Sequence, residues 1–267
     1  MIPPLHRLFS LLTLAWPLAK RDVLARYRGS AAGVLWALLA PLAMVGIYAL
    51  VFQGVFQARW AGSGRGTAGG IDYAARLFAG LIVFSAVAEV ATRATRLMQE
   101  NANLVKRVVF PLELLCVALV MQVAVHTALQ MLVLAVLLLV WGGGASWTWL
   151  WLLAGWPWIL LLQLALAIGL AALGCYLRDL QHIVPLLMSG LLFLSPVFYP
   201  SASAPEALRW LLAFNPVSAP IELMRAAWFG EAFAWHTALW PLLGVAAGLA
   251  AAHGLFVRLR PGFADLV

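Results

Sequence analysis

Six apolar stretches of this chain are long enough, or nearly so, to cross a bilayer, and that leaves little choice of fold. A helix needs about 20 apolar residues to span about 30 Å of hydrocarbon. By that ruler the expected spans run Ala31 to Phe56, Leu77 to Ala91, Leu114 to Val140, Trp149 to Tyr176, Ile183 to Tyr199 and Ala238 to Val257. Hydrophobic residues make up 64% of the 267 and charged residues 10%, against about 45 to 50% and about 25% in soluble domains. The expected class is therefore all-α, a polytopic membrane protein. An amphipathic interface segment occupies residues 1–30, and a single six-span domain occupies residues 31–267.

Pro41, Pro157, Pro185 and Pro241 lie within or at the start of these runs, where a missing N–H and a ring clash kink or begin a helix. The fifth run is short, has proline near both ends, and is the candidate for a broken span. Beyond it, "EALRWLLAF" and "IELMRAAWF" form two amphipathic pieces of about nine residues, too short to cross.

Basic side chains set the orientation. With the N-terminus inside, Arg7, Lys20, Arg21, Arg26, Arg28, Arg93, Arg96, Lys106, Arg107, Arg178, Arg258 and Arg260 fall on the inner side. They are 12 of the 17 basic residues, as the positive-inside rule requires. Both termini are then cytoplasmic. Before the first span, His6, Ser10, Thr13, Pro17 and Lys20 recur at steps of three or four and leave the other faces apolar. That pattern fits a helix lying in the inner interface better than a cleaved secretory signal. Pro17 is expected to break it into two pieces, the second carrying Lys20 to Arg28.

Signatures of catalysis are few. Lys20 and Lys106 are the only lysines and neither follows a glycine-rich loop, so the chain carries no Walker phosphate cradle. "GRGTAG" at Gly64 to Gly69 matches GxGxxG but follows no strand, and reads as a flexible outer linker. The five histidines include no i, i+4 pair, and Cys116 and Cys175 sit inside apolar runs as packing thiols. Gly29/Gly33 and Gly244/Gly248 are GxxxG spacings that can bring helices close. Glu89 is a charge near the inner end of the second span. A boundary ion pair with Arg93 one turn on is the simpler reading, and a proton relay the alternative.

Three stretches together carry a family resemblance: "KRDVLARYRGSAAGVLWALLAPLAMVGIYALVF" from Lys20, "NANLVKRVVFPLELL" from Asn101, and "YLRDLQHIVPLLMSGLLFLSPVFYP...NPVSAPIELMR" from Tyr176 to Arg225. In this order and spacing they resemble type 2 ABC transporter permeases, in particular polysaccharide and polyol phosphate exporters. The resemblance implies a homodimer working with two copies of a cytoplasmic ATPase in the bacterial inner membrane. It implies a lipid-linked glycan such as O-antigen, capsule or teichoic acid as cargo. It also implies no cofactor in this chain, since ATP and Mg belong to the ATPase, and no nucleic-acid partner. A proton-coupled secondary transporter and a membrane-embedded glycan or lipid transferase are the alternatives. The first lacks repeated intramembrane charges and related halves, and the second lacks clustered carboxylates.

Under that resemblance the residues take roles. Arg21, Arg26, Tyr27 and Arg28 can hold the carrier's phosphates by charge-assisted hydrogen bonds, or simply anchor the helix to anionic lipid. Residues 93–112 resemble the coupling segment, with Asn101, Lys106 and Arg107 in a short helix ending at Phe110 before Pro111. Arg178 and Asp179 form a second inner turn, either a local ion pair capping the fifth span or a further ATPase contact. Trp36, Tyr48, Phe78, Phe84 and Phe193 are channel aromatics, or lipid-facing and packing residues. Residues 196–236 form a re-entrant outer gate or a passive interfacial cap, with Pro196, Phe198, Tyr199, Pro200, Pro216, Glu222 and Arg225; Glu222 and Arg225 are spaced to pair.

Overall fold

The computed structural model describes residues 5–27, 29, 33–51, 69–106, 110–141 and 145–266. Arg28, Arg107 and residues 52–68, with most of the GxGxxG match, lie outside the described residues, as does the Tyr27 side chain. All regular structure among the described residues is helical. The helices are α1 Leu5–Tyr27, α2 Trp36–Ala49, α3 Gly69–Ala94, α4 Leu97–Glu100, α5 Ala102–Val105, α6 Glu113–Trp141, α7 Leu152–Tyr176, α8 Leu180–Phe193, α9 Glu206–Phe214, α10 Ser218–Phe229, α11 Trp235–Leu259 and α12 Phe263–Leu266.

Four helical stretches are long and apolar enough to cross a membrane: Asp72–Ala94, Glu113–Val140, Trp147–Tyr176 and Ala238–Leu266. They correspond to the second, third, fourth and sixth expected spans. The first and fifth appear as α2 and α8, apolar helices of 14 residues each, which reach about 21 Å at 1.5 Å per residue. Pro41, Pro157, Pro185 and Pro241 all lie inside helices.

Pro17 does not break α1, which continues for 23 residues. Ala15 and Ala19 on either side of it are fully buried, Ala15 packed with Leu18 against Leu114 and Ala118 of α6, while Pro17 itself is exposed. Packing along α6 holds the helix through the lost N–H, as neighbouring helices do for proline in membrane bundles.

Water does not drive helices together inside lipid, so close van der Waals fit has to. The chain supplies it with small residues on α7, which packs against α3, α6, α10 and α11. A Cβ at Gly155 would lie 2.7 Å from Met224 Sδ of α10, and one at Gly174 only 2.1 Å from the Thr95 carbonyl oxygen after α3. Around Gly155 the core holds Phe78, Ile82, Phe84, Leu134, Trp158, Ile221 and Met224. Around Gly174 it holds Val90, Ala94, Met98, Leu119, Ala171, Ala172, Phe256 and Phe263. The glycine spacings noted in the sequence do other things. Gly29 and Gly33 have positive φ of 84° and 51° and turn the backbone between α1 and α2. Gly244 and Gly248 face open space.

The tryptophan-rich stretch from Trp147 to Trp158 is divided between surface and core. Trp147 is exposed, but Trp158 is buried and Trp149 Nε1 donates to the Trp228 carbonyl at 3.3 Å. Thr148 Oγ1 donates to Ala227 O at 2.8 Å. These side chains satisfy the last carbonyls of α10, whose end is closed by Gly230 in the left-handed region.

Candidate functional site

Two polar assemblies occupy opposite ends of α3. At the end carrying Arg76, α8 ends at Phe193 and the chain runs on through Pro196 to Pro200 to reach α9. This run of turns has carbonyls with no helical partner, and side chains from elsewhere meet them. Arg225 of α10, 2% exposed, donates from Nη2 to Pro196 O at 2.8 Å and Val197 O at 3.2 Å. Tyr73 of α3 donates its hydroxyl to Phe198 O at 3.0 Å. Asn215 donates from Nδ2 to Ser195 Oγ at 2.8 Å and Leu194 O at 3.3 Å, and its Oδ1 accepts from Val217 N–H.

Arg76, one turn of α3 toward the centre from Asp72, closes this end. Its Nε donates to Asp72 at 2.9 Å, Nη1 pairs with Glu231 beyond α10, and the guanidinium lies 4.4 Å over the Phe229 ring. The segment from Pro196 to Glu231 is thus tied to α3 at both of its ends.

At the other end, α1, α3, α4 and α6 surround a cleft of about 560 Å³. From α1 come Arg21, Asp22 and Arg26, from α3 Glu89 and Arg93, and beyond them Glu100, Asn101 and Gln122. Glu89 is the hub: Arg26 Nη1 reaches it at 2.8 Å and Arg93 Nη1 at 3.5 Å. Arg21 pairs with its neighbour Asp22 at 2.9 Å. The boundary ion pair read from the spacing of Glu89 and Arg93 is present, with Arg26 from a helix 63 residues earlier as the closer partner.

Asn101 separates α4 from α5, and its Nδ2 donates back to Leu97 O at 2.9 Å. Gln99 Nε2 donates to Gly174 O at 3.3 Å, fastening this pair of short helices to α7. The C-terminal turn supports the same end: Phe263 is fully buried, Tyr176 donates its hydroxyl to Leu259 O at 2.9 Å, and Arg260 meets Glu113 at 3.4 Å.

The chain is thus a bundle of long apolar helices with a basic entry helix and a segment, Pro196 to Glu231, pinned to α3. A family model described as ABC-2 type transporter matches residues 13–229. The chain belongs to the ABC-2 type transporter family. It is similar to an O-antigen export system permease protein RfbA of Klebsiella pneumoniae, 28% identical over 80% of this chain and 78% of the relative. A protein of the same name from Myxococcus xanthus is 27% identical over 100% of both chains. The polysialic acid transport protein KpsM of Escherichia coli is 25% identical over 78% of each.

As an ABC-2 chain it is the multi-pass membrane subunit of a transporter, with ATP hydrolysis on a separate chain. The residues singled out in the sequence divide as follows. Arg21, Arg26 and Asn101 come together in the cleft, whereas Lys106 lies exposed past α5. The expected coupling helix does not run to Phe110: it is two short helices ending at Val105, and Phe110 is non-helical. Pro111 disfavours helix at its predecessor, and the Lys106 turn ends the helix first. Arg178 and Asp179 make no ion pair among the described residues, both are exposed, and Asp179 gives no side-chain cap to α8.

Phe78 and Phe84, at 4% and 5% exposed, fill the core between α3 and its neighbours, which is the packing role the sequence left open beside the channel one. Trp36 and Phe193 are exposed at 50% and 66%, Tyr48 is half-buried, and Phe193 stacks on Phe198 at 5.5 Å. In the segment after α8, Pro196 is buried, Phe198, Tyr199, Pro200 and Glu222 are half-buried, and Pro216 is exposed. Tyr73, Arg76, Ser195, Asn215 and Glu231 were not foreseen. Asp72 and Arg76 do stand at i, i+4, and Asn215–Pro216 is a turn-starting dipeptide, so part of the signal was there.

Proposed function

We propose that this ABC-2 permease moves a lipid-linked polysaccharide, of the O-antigen or capsule kind, from the cytoplasmic to the outer side of the bacterial inner membrane. It works as a homodimer with two copies of a cytoplasmic ATPase that binds ATP and Mg. The observation that carries this is its similarity along 78 to 100% of its length to permeases named for O-antigen export and polysialic acid transport. In this reading α2 and α8 complete a six-span bundle with both termini cytoplasmic.

The exposed face of α8 supports a shared path between two copies. It carries His182 and Ser189 beside Leu186, Gly190 and Phe193, and the imidazole and hydroxyl are groups that lipid would not favour. Glu89 is committed to two guanidinium groups, which speaks against a proton relay and for ATP-driven transport.

The roles follow the two ends of α3. Arg21 and Arg26, with Tyr27 and Arg28, receive the carrier's phosphates at the inner interface. Asn101, Lys106 and Arg107, with Arg178 and Asp179 nearby, meet the ATPase. The segment from Pro196 through α9 and α10 forms the outer gate, with α10 as its fixed post and α9, whose Trp210 and Phe214 are exposed at 63% and 82%, as its outer leaf.

The deciding experiment is ATP hydrolysis by the ATPase reconstituted with the permease. Stimulation by lipid-linked glycan, lost when the permease is omitted, is expected; hydrolysis indifferent to both overturns the proposal. Arg26→Lys and Arg28→Lys test the phosphate role, since anchoring survives the change and bidentate binding does not. A cysteine crosslink at Phe198 between two copies that left export intact would remove the gate.

A further inference from the structure

Two helices of four residues each meet at the Arg93 end of the bundle: α5, Ala102–Val105, and α12, Phe263–Leu266. A helix that short has no stability of its own. No side chain caps the start of α5, and it packs against α4 and α12, so tertiary contact sets its place. Its buried side chain is Val105, while Asn103 and Lys106 are exposed.

Phe263 joins the two. Its ring is fully buried in one cluster with Met98, Val105, Leu119, Ala172 and Phe256. It stands edge-on to Phe256 at 5.3 Å and to Tyr176 at 6.2 Å. Ala264, Asp265 and Leu266 are exposed, so of the described side chains of α12 this ring alone is buried. The backbone leading to it is fastened as well. Tyr176 donates its hydroxyl to Leu259 O at 2.9 Å, Gly262 leaves room for that hydroxyl where a Cβ would run into it, and Arg260 meets Glu113 at 3.4 Å.

These ties converge on the last turn of α7. Gln99, in α4, donates to Gly174 O, and Tyr176 takes both the hydrogen bond and the ring contact of the C-terminal turn. Tyr176 is also the last residue of α7, and α8 begins at Leu180. A displacement of α4 and α5 therefore reaches the start of α8 by two packed routes, the Gln99 bond and the Phe263 ring.

We infer that Phe263 is a positioning residue for transport: it holds α5 against the end of α7, so that a push by the ATPase on α5 moves α8. This rests on the reading of α4 and α5 as the ATPase contact. The C-terminal turn is then a working part of the permease, although it lies beyond α11 and presents mainly exposed side chains.

The test uses the full-length permease in lipid nanodiscs with its ATPase in excess, and a reporter cysteine, His182→Cys, at an exposed position in the first turn of α8. The native thiols, Cys116 and Cys175, are buried. AMP-PNP with Mg is expected to change the rate at which a water-soluble maleimide labels the reporter by about fivefold or more. Phe263→Ala is expected to abolish that response while the ATPase stays bound, and Phe263→Leu, which refills the space, to restore it. Leu134→Ala, fully buried in the other core cluster, is expected to lower the thermal midpoint as Phe263→Ala does and to keep the response. A response kept in Phe263→Ala, or lost as fully in Leu134→Ala, overturns the inference. A wild type that binds the ATPase without any response overturns it alone, and one that binds no ATPase overturns the exporter reading as well. If Phe263→Ala does not fold, Tyr176→Phe frees the turn from α7 at a residue 42% exposed. The response is then expected to fall about threefold, and an unaltered one overturns the inference.

Discussion

Arg225 Nη2 donates to the carbonyl oxygen of Pro196 at 2.8 Å across 29 residues of chain, and the same nitrogen reaches Val197 O at 3.2 Å. The backbone there has left α8 and has no ladder of its own, so the guanidinium stands in for the missing helical donors.

Replacing Arg225 leaves two carbonyls short of a donor in a buried place. Arg225→Met is expected to cost about 2 kcal/mol, the unpaired carbonyls outweighing the relief of not burying a charge. The fall in thermal midpoint is then about 5 °C. Arg225→Lys offers one compact ammonium where the guanidinium offers a planar fork, and should fall between the two. Thermal unfolding in detergent, followed by tryptophan fluorescence, checks the order wild type, Lys, Met. A Met variant as stable as wild type would show that the segment is held without Arg225.

Gly80 lies beneath the same contact. A Cβ there would come within 3.0 Å of Arg225 Nη2 and 3.3 Å of Val197 Cα, and both are already fixed by hydrogen bonds. Gly80→Ala is therefore expected to destabilise by about 1 to 2 kcal/mol through overpacking. Gly190, with nothing within 4 Å of its Cβ position, is the control. Gly190→Ala should lose nothing and gain up to about 1 kcal/mol from helix propensity. The pair is read by the same melts, and equal behaviour would refute the crowding at Gly80.

How far the sequence foretold this arrangement depended on whether a feature was local. The ends of α9 matched to the residue, because Pro205 before it and Asn215–Pro216 after it punctuate the chain directly. Four long spans followed from hydropathy alone. The face that a residue presents did not follow: Phe78 and Phe84 stood open between channel, lipid and packing roles, because nothing in a uniformly apolar helix says which side meets a partner. Pro17 was misread because Ala15 and Leu18, which hold the helix through it, matter only once α6 is beside them. The donors to Pro196 and Glu89 come from 29 and 63 residues away, a distance no spacing rule spans.

Gly174 marks the tightest crossing. Its hypothetical Cβ sits 2.1 Å from Thr95 O and 2.8 Å from Thr95 C, backbone atoms that cannot turn aside. Gly174→Ala must push α7 away from the junction of α3 and α4, which also breaks the Gln99 bond to Gly174 O. The expected cost exceeds about 4 kcal/mol, with little folded protein recovered. Size-exclusion chromatography of the detergent extract checks it, and a normal monodisperse peak would mean that the helices are farther apart.

The Glu89 triad should reveal itself by an asymmetry between single variants. Glu89→Gln leaves Arg26 and Arg93 facing each other without the carboxylate that both contact, whereas Arg26→Gln leaves Glu89 still paired with Arg93. Like charges repel where opposite ones had attracted, so Glu89→Gln is expected to cost more. All three groups are partly exposed, with 22 to 43% of each side chain accessible, which keeps every value small. A double-mutant cycle on Arg26 and Glu89 is expected to give a coupling of about 0.5 to 1 kcal/mol at low salt. At about 1 M salt, where the screening length is about 3 Å, the coupling should fall by about half. A coupling that ignored salt, or an Arg26 variant costlier than the Glu89 one, would show that Arg26 acts through packing along α6 and not through its charge.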